Sequence, residues 1–337
     1  MSFSIDTPGK QRQLCAGSFF ALLWCTNFPM KSESFPDFDH PVPKTGYQWW
    51  YVDGTSDDGT HHIVMIAFVG SVFSPHYFRA IGRGDGEPEN YCAFNLGVYS
   101  RSHRRWVLTE YDQTRIERGA RHFVLGRNRL QFDGDSLTVD IEDRAVPLPR
   151  RVSGRIRVTP HCATAEPFTL HDAGQQRWWP FAPSARVEVD LNTPRLSWSG
   201  EGYFDTNSGA VPLQDCFLDW HWSRRHQHGA TRINYQTRDV DTKRSALALR
   251  IDGDGNIEPA TPPRVQQLPR ALWRMERPIA TEAAPQLEAT LEDAPFYTRS
   301  VVATPGDGPE LTMHESLSME QFVKPWVQAL LPFRTRR

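Results

Sequence analysis

Short segments in which apolar residues alternate with polar ones recur along this chain. The clearest alternating segments are 92–98, 136–143 and 185–191, and a continuous apolar run occupies 61–69. Successive side chains of a β-strand point to opposite faces, so such alternation predicts strands that bury one face. Turn-forming stretches separate these segments, among them DGTSDDG, GRGDGEP, FDGD and DGDGN. Many short strands at this spacing predict an all-β fold of sandwiches or barrels.

The regular alternation stops between residues 160 and 184 and then resumes, which indicates a junction between two β-rich halves. A length of 337 residues is typical of about two domains. We therefore expect a first domain over 36–172 and a second over 173–337, after an N-terminal tail formed by 1–35.

A helical pattern is clear only at the C-terminus. Ser318 and Gln321 resemble a capping box. Apolar residues then recur at helical spacing at Phe322, Trp326 and Leu330. Pro325 is expected to kink this short helix or to restart it.

The N-terminal tail contains an apolar run, LCAGSFFALLWC (14–25), preceded by Lys10 and Arg12. The run has the length of a signal-peptide core but is shorter than the roughly 20 residues that span a bilayer. No small-residue cleavage site follows it. Three interpretations remain open: an export signal, a tail that is disordered or touches a membrane, and a misassigned start with Met30 as the true first residue.

Charge and cysteine content exclude several classes of protein. The net charge is −2 with 23% charged residues, which gives no electrostatic attraction to nucleic acid. The cysteines have no CxxC spacing and are odd in number, which favours a reduced cytoplasmic protein without a disulfide framework or zinc site. They are Cys15, Cys25, Cys92, Cys162 and Cys216.

The tripeptide Tyr203-Phe204-Asp205 is a candidate acid site. In a strand, Tyr203 and Asp205 share one face and Phe204 takes the other. If that face lines the interior of a barrel, Asp205 lies in an apolar cavity, where burial raises its pKa and keeps it protonated near neutral pH. The alternative is a surface aspartate at a strand end that begins the turn DTNSG.

Paired tryptophans also have two interpretations. They occur in QWWY (48–51), RWWP (177–180) and WHW (220–222). Such residues can fill a core or domain interface, or their ring faces can stabilise a cation, which contributes about 2 kcal/mol or more when both groups are desolvated.

Metal and cofactor chemistry are not indicated. Four potential ligands lie close together in the sequence, at Asp219, His221, His226 and His228, but the segment SRRHQHG carries two arginines that would repel a cation. The chain contains no HExxH, GxSxG, Walker or GxGxxG motif. We predict no metal and no cofactor, which leaves acid–base chemistry or simple binding.

Several motifs together resemble the carotenoid 1,2-hydratases, also called hydroxyneurosporene synthases. The resemblance extends from about residue 40 to the C-terminus. The motifs that carry it are GYQWWYVDG, VFSPHYFRA, RWWPFAP, GEGYFDTNSG, DWHWSR, PFYTRS and HESLSMEQFVKPWVQALLPFRTRR.

This resemblance implies two lipocalin-like β-barrel or sandwich halves with the short C-terminal helix. It also implies cofactor-independent addition of water to the terminal C1=C2 double bond of acyclic carotenoids such as neurosporene and lycopene. The family's acid corresponds to Asp205 beside Tyr203, assisted by a tryptophan that matches Trp178, with Trp179 as the adjacent alternative.

A carotenoid substrate would need an apolar tunnel, which we expect the barrel to supply, and its cationic intermediate would need aromatic faces rather than nucleophiles. We predict substrate contacts at Trp49, Trp50, Trp179, Trp220, Trp222 and Asp219. Because carotenoids reside in membranes, we expect a cytoplasmic protein peripherally associated with the inner or photosynthetic membrane. The alternatives are a lipocalin-like polyene cyclase or isomerase and a non-catalytic binder of hydrophobic ligands. Carotenoid preference, hydration of one or both ends and oligomeric state are left open.

Overall fold

The structure, a computed structural model, describes residues 35–171, 173–304, 310–331 and 334–336. The apolar run 14–25 and Met30 therefore lie outside the described residues, and the three interpretations of the N-terminal tail stay predictions.

Strands dominate the described part of the chain. The first eleven are β1 (Tyr47–Ser56), β2 (His62–Val69), β3 (Cys92–Tyr99), β4 (Arg104–Tyr111), β5 (Ile116–Gly119), β6 (His122–Leu125), β7 (Asn128–Phe132), β8 (Leu137–Arg144), β9 (Arg151–Pro160), β10 (Phe168–Thr169) and β11 (Gln176–Thr193). The others are β12 (Leu196–Gly209), β13 (Phe217–Gln227), β14 (Ala230–Asp239), β15 (Arg244–Ile251), β16 (Ile257–Pro259), β17 (Val265–Gln267), β18 (Pro278–Ala280), β19 (Gln286–Asp293), β20 (Tyr297–Ala303), β21 (Leu311–Ser318) and β22 (Arg334–Arg336). The α-helices are α1 (Pro75–Gly82), α2 (Met319–Phe322) and α3 (Pro325–Leu330).

The first sheet curls around a single hydrophobic core. Its strand order is β22-β4-β3-β2-β1-β12-β11-β9-β8-β7-β6-β5, with β10 paired to β11. One face of these strands supplies one buried cluster, to which the alternating apolar residues of 92–98, 136–143 and 185–191 all contribute. Strands from both ends of the sheet order meet in that cluster, so the sheet forms a nearly closed barrel.

The second sheet packs against the outside of this barrel. It has the order β16-β15-β14-β13-β21-β20-β19, and β17 and β18 form a separate ribbon. A second core lies between it and the outward face of β1, β2, β3, β11 and β12. Strand β2 is consequently buried on both faces, which explains why its sequence is continuously apolar rather than alternating. The predictions of an all-β fold and of a short C-terminal helical segment are confirmed.

The change of sheet falls later in the chain than the predicted junction. Strands β11 and β12 follow residue 172 but pair with β9 and β1 of the first sheet. The second sheet begins at β13. The division into domains at 172 and 173 stays a prediction. Judged by strand pairing, the chain passes from the first sheet to the second between β12 and β13.

Helix α1 departs from the expectation of a helical pattern only at the C-terminus. Ser74 caps it, because its side chain accepts hydrogen bonds from the backbone N–H groups of His76 and Tyr77, and Pro75 occupies its first turn. A serine followed by proline is a recognisable helix start. The signal was present in VFSPHYFRA, but eight residues are too few to show a clear helical period.

The C-terminal helix is two short helices. Ser318 caps α2 by accepting a hydrogen bond from the Gln321 backbone N–H at 3.3 Å, and α3 restarts at Pro325. The break changes which residues are buried: Phe322 is fully buried, whereas Trp326 is 48% exposed. The apolar residues 322, 326 and 330 therefore do not share one buried face.

Candidate active site

Strand β12 carries the predicted acid into the space between the two sheets. It lies between β1 and β11, and Asp205 pairs with Tyr51 across the ladder. Gly202 allows β12 to lie close to Val187 of β11, because a Cβ at position 202 would lie 2.1 Å from Val187 Cγ2. Tyr203 belongs to the core between the sheets, whereas Phe204 belongs to the barrel core.

Two donors converge on one oxygen of the Asp205 carboxyl group. The Trp178 indole Nε1–H donates to Oδ2 at 2.8 Å, and the Tyr203 hydroxyl donates to the same atom at 2.7 Å. The other oxygen, Oδ1, is buried and has no hydrogen-bond partner among the described residues. The two oxygens of Asp205 therefore have different surroundings.

Burial raises the pKa of Asp205 to about 8. Desolvation is the largest cause, the hydrogen bonds from Trp178 and Tyr203 oppose it, and the negative charges of Glu315 and Asp53 add to it. Asp205 itself is only 5% exposed. The pKa of Tyr203 is raised well above its usual value, mainly by desolvation, so its hydroxyl remains a donor.

The location of the acidic proton follows from these contacts. A carboxyl oxygen that already accepts two hydrogen bonds is a poor place for a proton, so the neutral form of Asp205 carries it on Oδ1. That oxygen has no competing partner among the described residues. The arrangement can deliver a proton to a weak base, such as a carbon–carbon double bond, near neutral pH.

A small cavity of about 30 Å³ adjoins Asp205. This volume holds one or two water molecules. Aromatic side chains from both sheets form most of its wall, and Glu315 adds a second carboxylate. The lining residues are Trp49, Tyr51, Asp205, Asn207, Trp220, Trp222, Tyr235 and Glu315.

The aromatic rings of this wall contact one another around the acid. The Trp222 ring lies 5.2 Å from the Tyr203 ring and 5.8 Å from the Tyr51 ring, and the Trp49 and Trp220 rings are 5.9 Å apart. Several π faces are therefore available within one desolvated site. Such faces stabilise a cation without presenting a nucleophilic lone pair.

Trp49 separates this cavity from a second, apolar pocket of about 50 Å³. Its ring lies 5.9 Å from that of Phe68 and 6.5 Å from that of Phe73, both of which line the apolar pocket. Phe296 and Leu331 line the same pocket from the second sheet side and the C-terminal segment. Aromatic side chains in mutual contact therefore connect the walls of the two spaces.

Buried ion pairs pack against the aromatic residues near Asp205. Arg224 pairs with Asp53, and its guanidinium lies 5.7 Å from the centre of the Tyr203 ring. Arg299 pairs with Glu315 at 2.8 Å and with Glu292 at 2.9 Å. The pKa of Arg299 is raised well above its usual value because the neighbouring carboxylates outweigh its desolvation.

The structure brings together some of the predicted site residues and separates others. Asp205, Tyr203 and Trp178 are in direct contact, and Trp49, Trp220 and Trp222 line the cavity at Asp205. Their neighbours Trp50 and Trp179 point the opposite way.

Trp50 and Trp179 belong to the barrel side of their strands. Trp50 is buried in the barrel core, where its Nε1–H donates to the Pro36 carbonyl at 2.8 Å. The Trp179 Nε1–H contacts Thr164 instead. Because neighbouring strand residues face opposite sides, the tandem tryptophans cannot both reach Asp205. Their predicted role in substrate binding stays a prediction that no contact in the structure supports.

Asp219 lies at a different place on the second sheet. Its Oδ2 accepts a hydrogen bond from Arg238 Nε at 2.6 Å, and its Oδ1 lies 3.5 Å from His221 Nε2. It lines a separate surface pocket with Trp273 and Trp326. In this structure Asp219 serves an ion-pair network away from Asp205.

Four cavity residues were absent from the sequence prediction: Tyr51, Asn207, Tyr235 and Glu315. Alternation from Trp49 and Asp205 would have indicated Tyr51 and Asn207, since each lies two residues further along the same strand face. Tyr235 and Glu315 come from the second sheet and carry no local signal.

Among the described residues, no three or more His, Cys, Asp or Glu side chains cluster in a way that could hold a metal ion. No helix in this part of the chain has the length and apolar character needed to cross a bilayer. Cys92, Cys162 and Cys216 are free and buried.

Two solved structures with low sequence identity share the fold. A Nitrosomonas europaea protein that carries the provisional name AttH superposes with a TM-score of 0.55 at 16% identity, covering 87% of this chain and 98% of that one. Kievitone hydratase from Nectria haematococca gives a TM-score of 0.50 at 12% identity, covering 84% and 92%. These likenesses bear on the fold alone, and they support two lipocalin-like β halves.

Sequence comparisons identify the family. The acyclic carotenoid 1,2-hydratase of Thiocapsa roseopersicina is 43% identical over 306 residues, which cover 90% of this chain and 76% of the relative. That of Rhodobacter capsulatus is 35% identical over 278 residues, covering 81% and 97%. The family model described as carotenoid hydratase CrtC matches residues 65–337. This chain therefore belongs to the carotenoid hydratase CrtC family and is an enzyme of the hydratase class.

Proposed function

We propose that this protein adds water across the terminal C1=C2 double bond of acyclic carotenoids such as lycopene and neurosporene, without a cofactor. The observation that carries the proposal is the buried carboxyl group of Asp205 beside an aromatic cavity, with Oδ1 unpartnered among the described residues. The sequence relatives named acyclic carotenoid 1,2-hydratase supply the substrate class.

The reaction begins with proton transfer from Asp205 Oδ1 to C2 of the substrate. The π electrons of the double bond form the new C–H bond and leave a tertiary carbocation at C1. Trp178 and Tyr203 stabilise the Asp205 carboxylate that remains, because both donate to Oδ2. A water molecule then attacks C1 and gives the 1-hydroxy product after losing a proton.

The aromatic wall stabilises the cation. Trp49, Tyr51 and Trp222 line the cavity, and all three belong to the core buried between the sheets. In a desolvated site each such contact contributes about 2 kcal/mol. A cavity of about 30 Å³ is smaller than the end of a carotenoid, so the substrate end must displace side chains. Movement of Trp49 would join the cavity to the apolar pocket and begin a path for the end of the polyene.

Incubation of the purified protein with lycopene, without cofactors, tests the proposal. We expect a product that has gained one water, and in D₂O a single deuterium at C2. A cyclic product of unchanged mass would identify a polyene cyclase instead. Lycopene recovered unchanged would identify a non-catalytic binder.

We further propose that the protein collects its substrate at a membrane surface through an exposed apolar patch. The patch consists of Leu272, Trp273, Val323, Trp326 and Leu330, of which Leu272 is 85% exposed. The Trp273 and Trp326 rings lie 6.2 Å apart, so the patch is continuous between the 271–274 turn and α3. Exposed tryptophans and leucines are typical of surfaces that insert into the lipid headgroup region.

The position of the patch fits substrate entry. Leu331, which follows the exposed Leu330 directly, lines the apolar pocket. Phe322 of α2 packs against Phe73 at 6.4 Å between ring centres, and Phe73 also lines that pocket. The same C-terminal segment therefore forms part of the patch and part of the pocket wall. Arg270, Arg274 and Lys324 are exposed around it and suit anionic headgroups.

A further inference from the structure

A second carboxylate, Glu315, reaches the cavity at Asp205 from the other sheet. Glu315 lies on β21 of the second sheet, next to Trp222 of β13, whereas Asp205 lies on β12 of the first. Both line the same cavity of about 30 Å³. The packing of the two sheets therefore places two carboxyl groups around a space of the size of one or two water molecules.

The two carboxyl groups have opposite electrostatic surroundings. No cation forms a hydrogen bond with Asp205 in the described part of the chain, and its two donors are the neutral side chains of Trp178 and Tyr203. Glu315 Oε1 accepts a hydrogen bond from Arg299 Nε at 2.8 Å and another from the Tyr51 hydroxyl at 2.9 Å. A cation at hydrogen-bond distance stabilises the charged form of a carboxylate. Two carboxyl groups in such different surroundings are suited to the separate roles of acid and base.

The cavity also offers partners for a water molecule. Asp205 Oδ1 and Trp222 Nε1 are both buried without a hydrogen-bond partner among the described residues. The cavity therefore brings together a donor in Trp222 Nε1–H, an acceptor in the Glu315 carboxylate and the acid Asp205. A buried water needs two to four polar partners, and these groups are sufficient.

We propose that Glu315 is the general base that takes the proton of the attacking water, so that Asp205 acts only as the acid. The assignment rests on the proposed hydration. Asp205 gives its proton to C2, and a lone pair of the water forms the C1–O bond as one O–H bond breaks. That proton goes to Glu315, and cavity water returns it to Asp205 before the next turnover. The sum is alkene plus water giving alcohol.

The contacts of Glu315 also limit a side reaction. A free carboxylate beside a tertiary carbocation would form an ester with it. Glu315 Oε1 is already engaged by Arg299 and Tyr51, and hydrogen bonding of this kind lowers the nucleophilicity of an oxygen. These contacts therefore lower the tendency of Oε1 to form an ester with the cation.

The test compares hydration with isotope exchange in D₂O. In Glu315→Gln, Asp205 still protonates the double bond, but the cation is captured by water more slowly and reverts to alkene. We expect hydration of lycopene to fall about 100-fold or more, while recovered lycopene gains deuterium at the terminal double bond. The ratio of exchange to hydration therefore rises at least tenfold above that of the wild type.

Glu292→Gln is the matched control, because Glu292 is the other carboxylate that pairs with Arg299. Its ratio of exchange to hydration should stay at the wild-type value whatever its rate. A Glu315→Gln variant that hydrates within about threefold of the wild type would show that Asp205 serves both roles and overturn the assignment. Equal loss of exchange and hydration would reduce Glu315 to a structural partner of Arg299 and also overturn it. A wild-type protein that neither hydrates nor exchanges lycopene would instead refute the proposed function, and the assignment with it.

Discussion

The Tyr203 hydroxyl donates a hydrogen bond of 2.7 Å to Asp205 Oδ2, from a position two residues earlier on the same strand. Alternation along β12 makes this contact possible, because both side chains leave the same face. Trp178, on the neighbouring strand β11, donates to the same oxygen. The pair of donors therefore stabilises the carboxylate without blocking Oδ1, where the proposed chemistry takes place.

Replacing the acid should abolish hydration while leaving the fold intact. In Asp205→Asn the amide has nearly the same shape but cannot deliver a proton, so we expect a loss of at least about 100-fold. The rate of conversion of lycopene, with circular dichroism as a check on folding, measures this. Asp190→Asn is the matched control, since Asp190 lies exposed on β11 and should keep wild-type activity. Substantial hydration by Asp205→Asn would reject Asp205 as the acid.

The pH dependence of hydration should follow the titration of Asp205. Since the acid must be protonated and its pKa is about 8, the rate should fall as pH rises through that value. The hydrogen bond from Trp178 lowers this pKa. Trp178→Phe removes the bond, so its alkaline limb should move to higher pH. A pH–rate profile of the wild type and of Trp178→Phe measures the shift. An unchanged alkaline limb would show that Trp178 does not influence the pKa of the group that controls the rate.

The size of the aromatic face at position 178 should matter as well. Trp178→Phe should retain more activity than Trp178→Ala, because a smaller π face survives in the first variant. Equal losses of activity in the two variants would indicate that the Trp178 ring contributes packing and does not stabilise the cation.

The buried acid should also make stability depend on pH. Asp205 has a raised pKa in the folded protein, so between about pH 4 and 8 the folded state holds a proton that the unfolded state has released. The wild type should therefore lose stability relative to Asp205→Asn as pH rises over that range, by about 1.4 kcal/mol per pH unit at most. The difference should level off above pH 8. Urea unfolding of both proteins at pH 5, 7 and 9 tests this, and a constant difference would contradict it.

Gly202 should tolerate no larger side chain. An added Cβ would lie 2.1 Å from Val187 Cγ2 and 2.8 Å from the Asp53 carbonyl oxygen, so Gly202→Ala must displace β12. We expect a destabilisation of about 1–3 kcal/mol and reduced hydration. Gly82→Ala is the control, because no atom lies within 4 Å of its added Cβ. Similar unfolding midpoints for the two variants would show that β12 can move freely.

Local alternation accounts for what the sequence predicts well. It places Tyr203 and Asp205 on one face, and it identifies the strands whose apolar residues fill the barrel core. The same rule predicts that only one residue of each tandem tryptophan pair can face Asp205. Choosing between Trp178 and Trp179 requires the pairing of β11 with β12, which a single sequence does not reveal.

Contacts between the sheets account for what the sequence could not predict. Glu315 and Tyr235 reach the cavity from the second sheet, far from Asp205 along the chain. Their positions depend on how the second sheet packs on the outside of the barrel, and no periodicity encodes that packing. The cavity itself lies between the sheets rather than inside the barrel, because the barrel interior is filled by its own core.

The apolar patch should control access to substrate held in membranes. In the double variant Trp273→Glu/Trp326→Glu, carboxylates replace two half-exposed indole rings, and their negative charge opposes insertion into the headgroup region. Vesicles containing anionic phospholipid should bind this variant at least about tenfold more weakly than the wild type in a flotation assay. The ratio of hydration from vesicles to hydration from detergent micelles should fall in parallel. Leu148→Glu is the matched control, because Leu148 is 62% exposed in the loop between β8 and β9, outside the patch. If the control loses vesicle binding equally, or the double variant keeps it, the patch is not the docking surface.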